Sequence, residues 1–319
     1  MSPTLAKTLV FSDLITDTVN RAASHRLDAS GKGINVSRVL TQLGNDCIHL
    51  TQLGGSFRPL FLELCASDGL KVEWVESCSP IRFCYTIINR KDRTVTELVE
   101  EGEQVEEQTG ERLLEAFDKL LPENLPGFGH SSLRQGFPAI STVIISGSRA
   151  AGFPDTLISE MVKRAKARSL RVILDIRGKD LLECLPWRPD IIKPNLYEFS
   201  ATFAPDLVAG NEIIDTATAE SFTEIKNRIA GICRDIYQKY GSNTILSRGS
   251  KAIWYAENGE LFEFKVDPVE AVNSTGSGDA FTAGLAAALD EGGSLTEAVA
   301  EGARCGKLNA LQLRPGVIT

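Results

Sequence analysis

The chain has 319 residues, of which 43% are hydrophobic and 24% charged, and a formal net charge of −8 at pH 7. It is long and apolar enough for one large core, and its negative charge argues against a general nucleic-acid-binding protein. No apolar run reaches the roughly 18 residues of a membrane span, and no charged-then-apolar leader opens the chain. Seven cysteines without a Cys-x-x-Cys pair and three isolated histidines predict reduced thiols in a cytoplasmic protein, without a zinc site.

The first predicted elements are short strands joined by turns, at residues 7–13 with 21–29, and at 81–90 with 94–100. These strands alternate only in part and carry apolar residues on both faces. A small sheet of this kind should not stay exposed to solvent, which favours dimerisation.

The rest of the chain alternates between short apolar runs and helical patterns. The runs lie at 47–53, 142–146, 171–175, 190–193 and 244–247, and the helical patterns include 154–169, 220–240 and 279–291. Strands that alternate with helices indicate crossover units and a parallel sheet buried on both faces. Ligands bind beyond the carboxyl ends of such strands, where Ser148, Asn195 and Gly249 fall. Residues 121–138, rich in Pro, Gly and Ser, predict a long loop.

A glycine-rich segment late in the chain points to phosphate chemistry. Residues 273–281, Asn-Ser-Thr-Gly-Ser-Gly-Asp-Ala-Phe, open a helix made almost entirely of Ala, Gly and Leu. The unpaired N–H groups of a helix N-terminus form an anion site, and Asp279 is placed there to orient a hydroxyl beside a phosphate. A simple helix cap is the alternative. Because the helix dipole favours the charged carboxylate, we expect Asp279 to be a weak base.

A second glycine segment occurs near the start of the chain. Residues 30–40 begin Ser-Gly-Lys-Gly-Ile-Asn and again open a helix. Neither segment is a P-loop, and residues 31–36 lack the third glycine of a dinucleotide fingerprint, which argues against a dehydrogenase. The two segments form one site only if the fold brings distant helix starts together.

With both segments present in this order, the chain resembles the ribokinase-like (pfkB) carbohydrate kinases. It is most similar to the branch of 1-phosphofructokinases and tagatose-6-phosphate kinases, which carries G-G-K-G-x-N-x-[ST]-R early and N-T-x-G-[AS]-G-D late. Residues 145–148, 192–198 and 246–249 resemble further family segments. The resemblance covers essentially the whole chain. It implies one α/β kinase domain over 1–319, a ribokinase-like parallel-sheet sandwich with helices on both faces and a small β-sheet lid from about 7–30 and 80–101.

The resemblance also implies the activity and the residues that carry it. The reaction is ATP-dependent phosphorylation of fructose 1-phosphate, tagatose 6-phosphate or fructose 6-phosphate, with Mg²⁺, in a homodimer formed through the lid. The implied catalytic residues are Asp279, Gly276, Ser277 and Gly278. The implied substrate-binding residues are Arg21, Gly31, Lys32, Gly33, Asn35 and Arg82. The implied nucleotide-binding residues are Lys193, Asn195, Ser247, Gly249, Thr275 and Asn309, and Asn195 and Glu198 are implied to hold the metal through water.

Several of these residues keep an ordinary alternative. Asn195 and Glu198, three apart, face one side of a helix and suit magnesium-bound water, although Glu198 could be merely solvated. Lys193 ends a strand and suits a nucleotide phosphate. Lone cations such as Arg21 and Arg82 are usually solvated. Only their convergence on one site would explain why the substrate is a phosphorylated sugar. Asparagine is unfavourable inside a helix, which supports a purpose for Asn35.

The sugar site departs from the family pattern. Residues 2–6 stand in register with the family's N-P-x-x-D, so Ala6 replaces a sugar-binding aspartate, and we expect the chain to start after the strand that precedes this motif. Ser30 replaces the first glycine of the early segment, and Arg149, Ala150 and Ala252 are further departures. The phosphoryl-transfer segments are intact. Two other functions therefore stay open: a kinase of a free sugar or nucleoside, and a catalytically weak sugar-phosphate-binding regulator.

Overall fold

The computed structural model describes residues 2–122, 140–209, 212–213 and 219–319. The strands in these ranges are β1 (Thr4–Phe11), β2 (Ser24–Ser30), β3 (Ile48–Leu53), β4 (Lys71–Glu76), β5 (Arg82–Asn89), β6 (Thr94–Val99), β7 (Thr142–Ser146), β8 (Arg171–Asp175), β9 (Ile191–Ile192), β10 (Val208–Ala209), β11 (Glu212–Ile213), β12 (Asn243–Leu246), β13 (Ile253–Glu257) and β14 (Glu260–Phe264). The helices are α1 (Lys32–Gln42), α2 (Arg58–Ser67), α3 (Glu107–Leu120), α4 (Leu157–Ala167), α5 (Gly178–Cys184), α6 (Leu196–Phe203), α7 (Ala219–Tyr240), α8 (Ser277–Asp290) and α9 (Leu295–Ala310). The loop predicted at 121–138 lies, from residue 123 onward, outside the described residues.

Six strands form the main sheet, in the order β14-β13-β12-β9-β8-β7. The four strands β12, β9, β8 and β7 run parallel, whereas β13 and β14 are antiparallel to their neighbours. The sheet predicted to be parallel is therefore mixed. The cause is the short connection between β12 and β13, since a parallel pairing needs a crossover of a dozen or more residues.

Both faces of the main sheet are buried. Along β8, Val172 and Leu174 pack into a core with residues of α4 and α7, while Ile173 between them packs into a second core with residues of α1, α8 and α9. Successive side chains of a strand point to opposite faces, so a strand covered on both sides is apolar at every position. This burial explains why the strand reads as a continuous apolar run.

Four strands form a second sheet, in the order β2-β1-β5-β6, which we call the lid sheet. Strand β1 pairs antiparallel with β2 and parallel with β5, and β5 pairs antiparallel with β6. Leu5 and Ala29 lie on its covered face and pack with Phe61 of α2. The edge strand β6 is exposed, with Leu98 at 55% and Val99 at 51% of their full accessible surface.

Strands β7 and β8 have the boundaries that the sequence predicts. Strands β1 and β2 lie closer to residue 1 and to α1, respectively, than predicted, because the connection between them is longer and contains Asp17 at a positive φ of 60°. Strand β3 was predicted within the crossover units. Among the described strands it pairs with β4 alone.

In the described part of the chain, no helix has the length and apolar content to cross a membrane. All seven cysteines are free. Burial raises the pKa of Cys65, Cys184, Cys233 and Cys305 to about 12. These four thiols are therefore neutral packing groups.

Candidate active site

The main cleft has a volume of about 520 Å³ and lies between the lid sheet and the carboxyl ends of β8, β9 and β12. It brings the two glycine segments together, as one site requires. Its lining comprises Thr4, Ala6, Ser30, Gly31, Lys32, Asn35, Arg82, Cys84, Glu97, Val99, Asp175, Lys193, Asn195, Glu198, Ser247, Ser274, Thr275, Gly276, Gly278 and Asp279. Most of the residues singled out from the sequence are in this set.

The late glycine segment forms the turn that starts α8. Gly276 caps the helix with a φ of +81°, and a Cβ there would meet the Pro315 side chain at 2.9 Å. Only glycine suits both the left-handed backbone and the close approach. The turn is held by Asn309, whose Nδ2 donates to the Thr275 carbonyl at 2.9 Å and to the Ser277 hydroxyl at 3.2 Å. The backbone amides that follow Gly276 are therefore held in fixed positions at the N-terminus of α8.

Asp279 lies in the first turn of α8 and is only 5% exposed. Its Oδ2 accepts a hydrogen bond from Asn35 Nδ2 at 2.8 Å, which links the two glycine segments directly. Burial, and next the charge of Asp175, raise the pKa of Asp279 from 3.8 to about 7. The expectation of a weak base is therefore wrong. Desolvation and a neighbouring carboxylate outweigh the helix dipole in this position.

Asp175, at the end of β8, is a site residue that the sequence reasoning missed. Its Oδ1 lies 3.3 Å from Lys193 Nζ and 4.0 Å from Lys32 Nζ, and its Oδ2 accepts from the Ser146 hydroxyl at 2.9 Å. Burial opposes its ionisation, but the two ammonium groups outweigh burial and hold the pKa of Asp175 below its ordinary value. A carboxylate that ends a predicted strand was the available signal.

Asp175 therefore sets the positions of the two lysines of the cleft. Lys193 is 2% exposed and lies over the Phe281 ring at 5.6 Å. The pKa of Lys32 is raised although burial opposes its charge, because the carboxylates of Asp175, Asp279 and Glu198 surround it. Both ammonium groups thus lie beside the Asp175 carboxylate, a suitable arrangement for phosphate groups.

A second cavity of about 170 Å³ adjoins the early glycine segment and is shared by Lys32 and Arg82. Gly31 and Gly33 line it together with Ser148 and Thr51. Gly31 has a φ of +114°, and a Cβ there would lie 3.1 Å from the Ser2 carbonyl. The two cavities share this turn, so a phosphorylated molecule could place groups in both.

The fold does not bring Arg21 to either cavity. It lies in the exposed connection between β1 and β2 and lines neither cavity. Arg82 does reach the cleft, held by its Nη1 bond to the Glu100 carbonyl at 3.0 Å. The expected convergence of cations on the substrate's phosphate therefore involves Lys32 and Arg82 in a single chain. Arg21 stays outside because β1 ends at Phe11 and β2 begins only at Ser24, so Arg21 belongs to neither strand of the lid sheet.

The lid sheet presents an apolar row to the cleft. Ala6 pairs in register with Cys84, and Cys84 pairs with Val99, so the three lie side by side on β1, β5 and β6. All three line the main cleft. Glu97, two residues before Val99, accepts from the Thr275 hydroxyl at 3.2 Å and joins the lid sheet to the glycine turn. The departure at Ala6 is therefore part of a wider apolar face.

The nucleotide side differs from the expectation at two residues. Lys193, Asn195, Ser247 and Thr275 line the cleft, but Gly249 and Asn309 do not. Asn309 is buried, and its side chain is fully engaged by the glycine turn and by the Gly316 amide at 2.7 Å. The side chain of Asn309 is thus committed to the structure of the turn. Ser277 likewise stands just behind the lining.

Asn195 and Glu198 form a helix cap at the start of α6. Asn195 Oδ1 accepts from the Glu198 amide at 2.7 Å, and Glu198 Oε2 accepts from the Asn195 amide at 3.0 Å. Glu198 Oε1 lies 3.6 Å from Arg177 Nη1. Within the described ranges, no three acidic, histidine or cysteine side chains are grouped to hold a metal ion directly. These two residues suit a metal that keeps its water shell, as Mg²⁺ does.

A cleft with these groups, at the carboxyl edge of an α/β sheet, is the kind of site that phosphotransferases use. A family model described as pfkB family carbohydrate kinase matches residues 6–317. The chain therefore belongs to the pfkB carbohydrate kinases, as the sequence motifs predicted, and it is an ATP-dependent phosphotransferase.

Individual relatives agree with this membership. Tagatose-6-phosphate kinase of Staphylococcus epidermidis is 27% identical over 304 residues, which are 95% of this chain and 87% of that protein. Phosphofructokinase-2 of Escherichia coli has a similar structure, with a TM-score of 0.80, 19% identity and coverage of 99% and 93% of the two chains. Ribokinase of Arabidopsis thaliana superposes with a TM-score of 0.67, 20% identity and coverage of 99% and 92%. The predicted ribokinase-like fold is thereby confirmed.

Proposed function

We propose that this kinase phosphorylates a phosphorylated ketohexose at the expense of ATP and forms the bisphosphate. The observation that carries the proposal is the pair Lys32 and Arg82, which the early glycine turn and the lid sheet place around a cavity beside Asp279. An uncharged sugar would gain little from two cations at the place where the phosphoryl acceptor binds, whereas a phosphate group on that sugar would be bound by both. The names of the relatives, tagatose-6-phosphate kinase and phosphofructokinase-2, support the same substrate class.

In this proposal Asp279 receives the hydrogen bond of the acceptor hydroxyl and orients its oxygen for attack. With its pKa raised to about 7, Asp279 is basic enough to take the proton as the new bond forms. The amides of Gly276, Ser277, Gly278 and Asp279 stabilise the charge of the moving phosphoryl group. In a loose transition state, this positioning and charge stabilisation supply most of the catalysis.

In this proposal ATP, the phosphoryl donor, binds on the side of the cleft that carries Lys193, Ser247 and Thr275. Lys193 binds a phosphate of ATP, and Ser247 and Thr275 line the wall on which the nucleotide lies. Asn195 and Glu198 would hold a Mg²⁺ ion through water, since their oxygens are partly committed to the α6 cap. When bound, Mg²⁺ neutralises phosphate oxygens and supplies charge stabilisation.

A second candidate is a sugar-phosphate-binding regulator with weak turnover. The apolar row Ala6, Cys84 and Val99 favours it, because sugar hydroxyls against that row lose hydrogen-bond partners. This candidate keeps the same ligands but predicts binding without appreciable bisphosphate formation.

The test is a coupled ADP-release screen over fructose 1-phosphate, fructose 6-phosphate, tagatose 6-phosphate and the corresponding free sugars. We expect turnover with at least one phosphorylated ketohexose and much less with any free sugar. Asp279→Asn should lower kcat by about two to four decades with ATP binding retained, because it removes the charge that orients the hydroxyl. Binding of sugar phosphate and ATP without turnover would favour the regulator, and equal turnover of free sugars would refute the phosphate assignment.

A further inference from the structure

The side chain of Asn35 joins Asp279 to a buried arginine on the same helix. Asn35 Nδ2 donates to Asp279 Oδ2 at 2.8 Å, and Asn35 Oδ1 accepts from Arg38 Nη1 at 3.2 Å. The Ser30 hydroxyl also donates to this Oδ1, at 3.4 Å. Asn35 lines the cleft but is only 4% exposed, so solvent competes little for its amide. The amide therefore works as a bridge between the carboxylate and the guanidinium.

Arg38 is only 3% exposed, and each nitrogen of its guanidinium group donates a hydrogen bond. Its Nε donates to Asp68 Oδ2 at 2.9 Å, its Nη2 to the Ala29 carbonyl at 2.6 Å and its Nη1 to the Pro315 carbonyl at 3.1 Å. Arg314 binds Asp68 and also Asp28, so two carboxylates offset part of the positive charge around Arg38. A guanidinium so anchored cannot follow Asn35 if its amide turns.

This anchoring decides which way the amide faces. A guanidinium has donors and no acceptor, so only the oxygen of Asn35 can face Arg38. The NH₂ group must then face Asp279. In the reversed orientation, NH₂ would oppose the guanidinium and the amide oxygen would oppose the carboxylate, and both contacts would be repulsive. One oxygen of Asp279 is thereby occupied, and the other is left for the cleft.

We propose that Arg38 is a positioning residue for phosphoryl transfer, which acts by fixing the amide of Asn35 so that Asp279 presents one free carboxylate oxygen to the acceptor hydroxyl. The proposal rests on the role of Asp279 under the proposed function. It explains why a charged group lies buried behind the site without reaching the cleft: Arg38 lines neither of its two cavities.

The pH profile separates this role from simple stabilisation. The charged groups that face Asp279 are Asp175 from β8, Lys32 from α1 and Lys193 from the segment after β9, and the bond from Asn35 lowers the pKa of Asp279. When Arg38 no longer restrains the amide, this bond is lost part of the time. Asp279 then holds its proton to higher pH, and the acid limb of kcat/KM moves upward.

The experiment compares Arg38→Leu, Arg38→Lys and Asn35→Ala with wild type, using ATP and the phosphorylated ketohexose that the screen identifies. We expect Arg38→Leu to lower kcat about 10- to 100-fold, the scale for a misplaced catalytic group, while KM for ATP changes little. Its acid limb and that of Asn35→Ala should both move upward by about half a pH unit or more. Arg38→Lys, which keeps the charge but loses the fixed fork, should lie between Arg38→Leu and wild type.

Gln42→Met is the matched control. Gln42 lies one turn further along α1 and binds the same C-terminal segment, through the Gly316 carbonyl at 2.8 Å and the Ile318 amide at 2.9 Å, without contacting Asn35. It should leave the acid limb in place. If Arg38→Leu does not fold, Arg38→Lys and Asn35→Ala decide the question. An unmoved acid limb in the Arg38 variants overturns the positioning role, whereas near-normal turnover of Asp279→Asn overturns the assignment on which it rests.

Discussion

Asp279 and Asp175 are two carboxylates in one cleft with opposite behaviour. Asp175 has two lysine partners, so its pKa lies below the ordinary value, whereas Asp279 has an amide partner and a carboxylate neighbour, and its pKa is raised to about 7. A pair of acids whose pKa values are pushed apart by their surroundings indicates which one handles a proton. This difference supports the proposed proton-handling role of Asp279 and a charge-holding role of Asp175.

The pH dependence of the reaction follows from this difference. In the proposed mechanism Asp279 must be ionised to accept the hydroxyl proton, so kcat/KM should fall as pH decreases through about 7. The measurement is a profile from pH 5 to 9 at saturating ATP, with Asp175→Asn as a comparison. Removal of the neighbouring charge should move the acid limb to lower pH. A limb near pH 4 in the wild type would contradict the raised pKa.

The same shift makes a prediction about stability. Because the pKa of Asp279 is higher in the folded than in the unfolded chain, the folded state binds the proton more tightly, and stability is lost as pH rises from about 4 to about 7. Asp279→Asn should therefore raise the melting temperature at pH 8 by a few degrees, where 1 kcal/mol corresponds to roughly 2–4 °C, and change it little at pH 5. Scanning calorimetry at both pH values measures this. Asp267→Asn, at an exposed position, serves as the control. A melting temperature at pH 8 that is lower for Asp279→Asn than for the wild type would contradict the prediction.

At the scale of elements, the strands of the lid sheet divide their side chains between two faces. Arg82 of β5 faces the cleft, whereas Lys7 of β1 follows Ala6 and points to the opposite face of the sheet. Arg82→Ala should weaken binding of the phosphorylated sugar by about 1.5–3 kcal/mol, the range for hydrogen bonds to charged groups. Isothermal titration measures the loss. Lys7→Ala is the matched change on the other face, and an equal loss there would indicate that folding of the lid sheet, rather than phosphate binding, is affected.

The apolar row on the same sheet leads to a separate prediction. Ala6 lies in β1 beside Cys84, so a carboxylate at position 6 would enter the cleft and accept hydrogen bonds from sugar hydroxyls. Ala6→Asp should lower KM for a ketohexose phosphate or widen the range of accepted isomers, without altering ATP affinity. Steady-state kinetics over the sugar panel measures this, with Lys7→Asp, on the opposite face of the same strand, as a control. A wild type with micromolar KM and an unimproved Ala6→Asp would show that other residues bind those hydroxyls.

At the scale of the whole molecule, we propose that two chains associate through the lid sheet. Among the described strands, β6 lies at the edge of its sheet, and Leu98 on it is 55% exposed, a combination that favours pairing with another strand. Sedimentation velocity should give twice the mass of one chain, and Leu98→Arg should shift the species to the monomer. Leu182→Arg, on the exposed side of α5, should not. A wild type that stays monomeric at micromolar concentration contradicts the proposal.

Local sequence indicated the strands and helices whose pattern of apolar residues and turns can be recognised within the segment itself. The runs at 142–146 and 171–175 match β7 and β8 because a strand buried on both faces is apolar throughout. The two glycine segments also indicated helix starts, since Gly276 and Gly31 both require a positive φ. Motifs of this type carry their geometry within a few residues, and for that reason the sequence by itself indicates the family.

Tertiary structure decided what depends on neighbours distant in the chain. The pKa of Asp279 is set by burial and by Asp175, which lies on a strand far earlier in the chain, so its local helix dipole predicted the wrong direction. The family resemblance implied nucleotide binding for Asn309 and substrate binding for Arg21, but packing places the Asn309 side chain against the glycine turn and leaves Arg21 in an exposed connection. The charge state, the burial and the cleft access of a side chain depend on residues from many parts of the fold, whereas the backbone conformation depends mostly on neighbouring residues in the sequence.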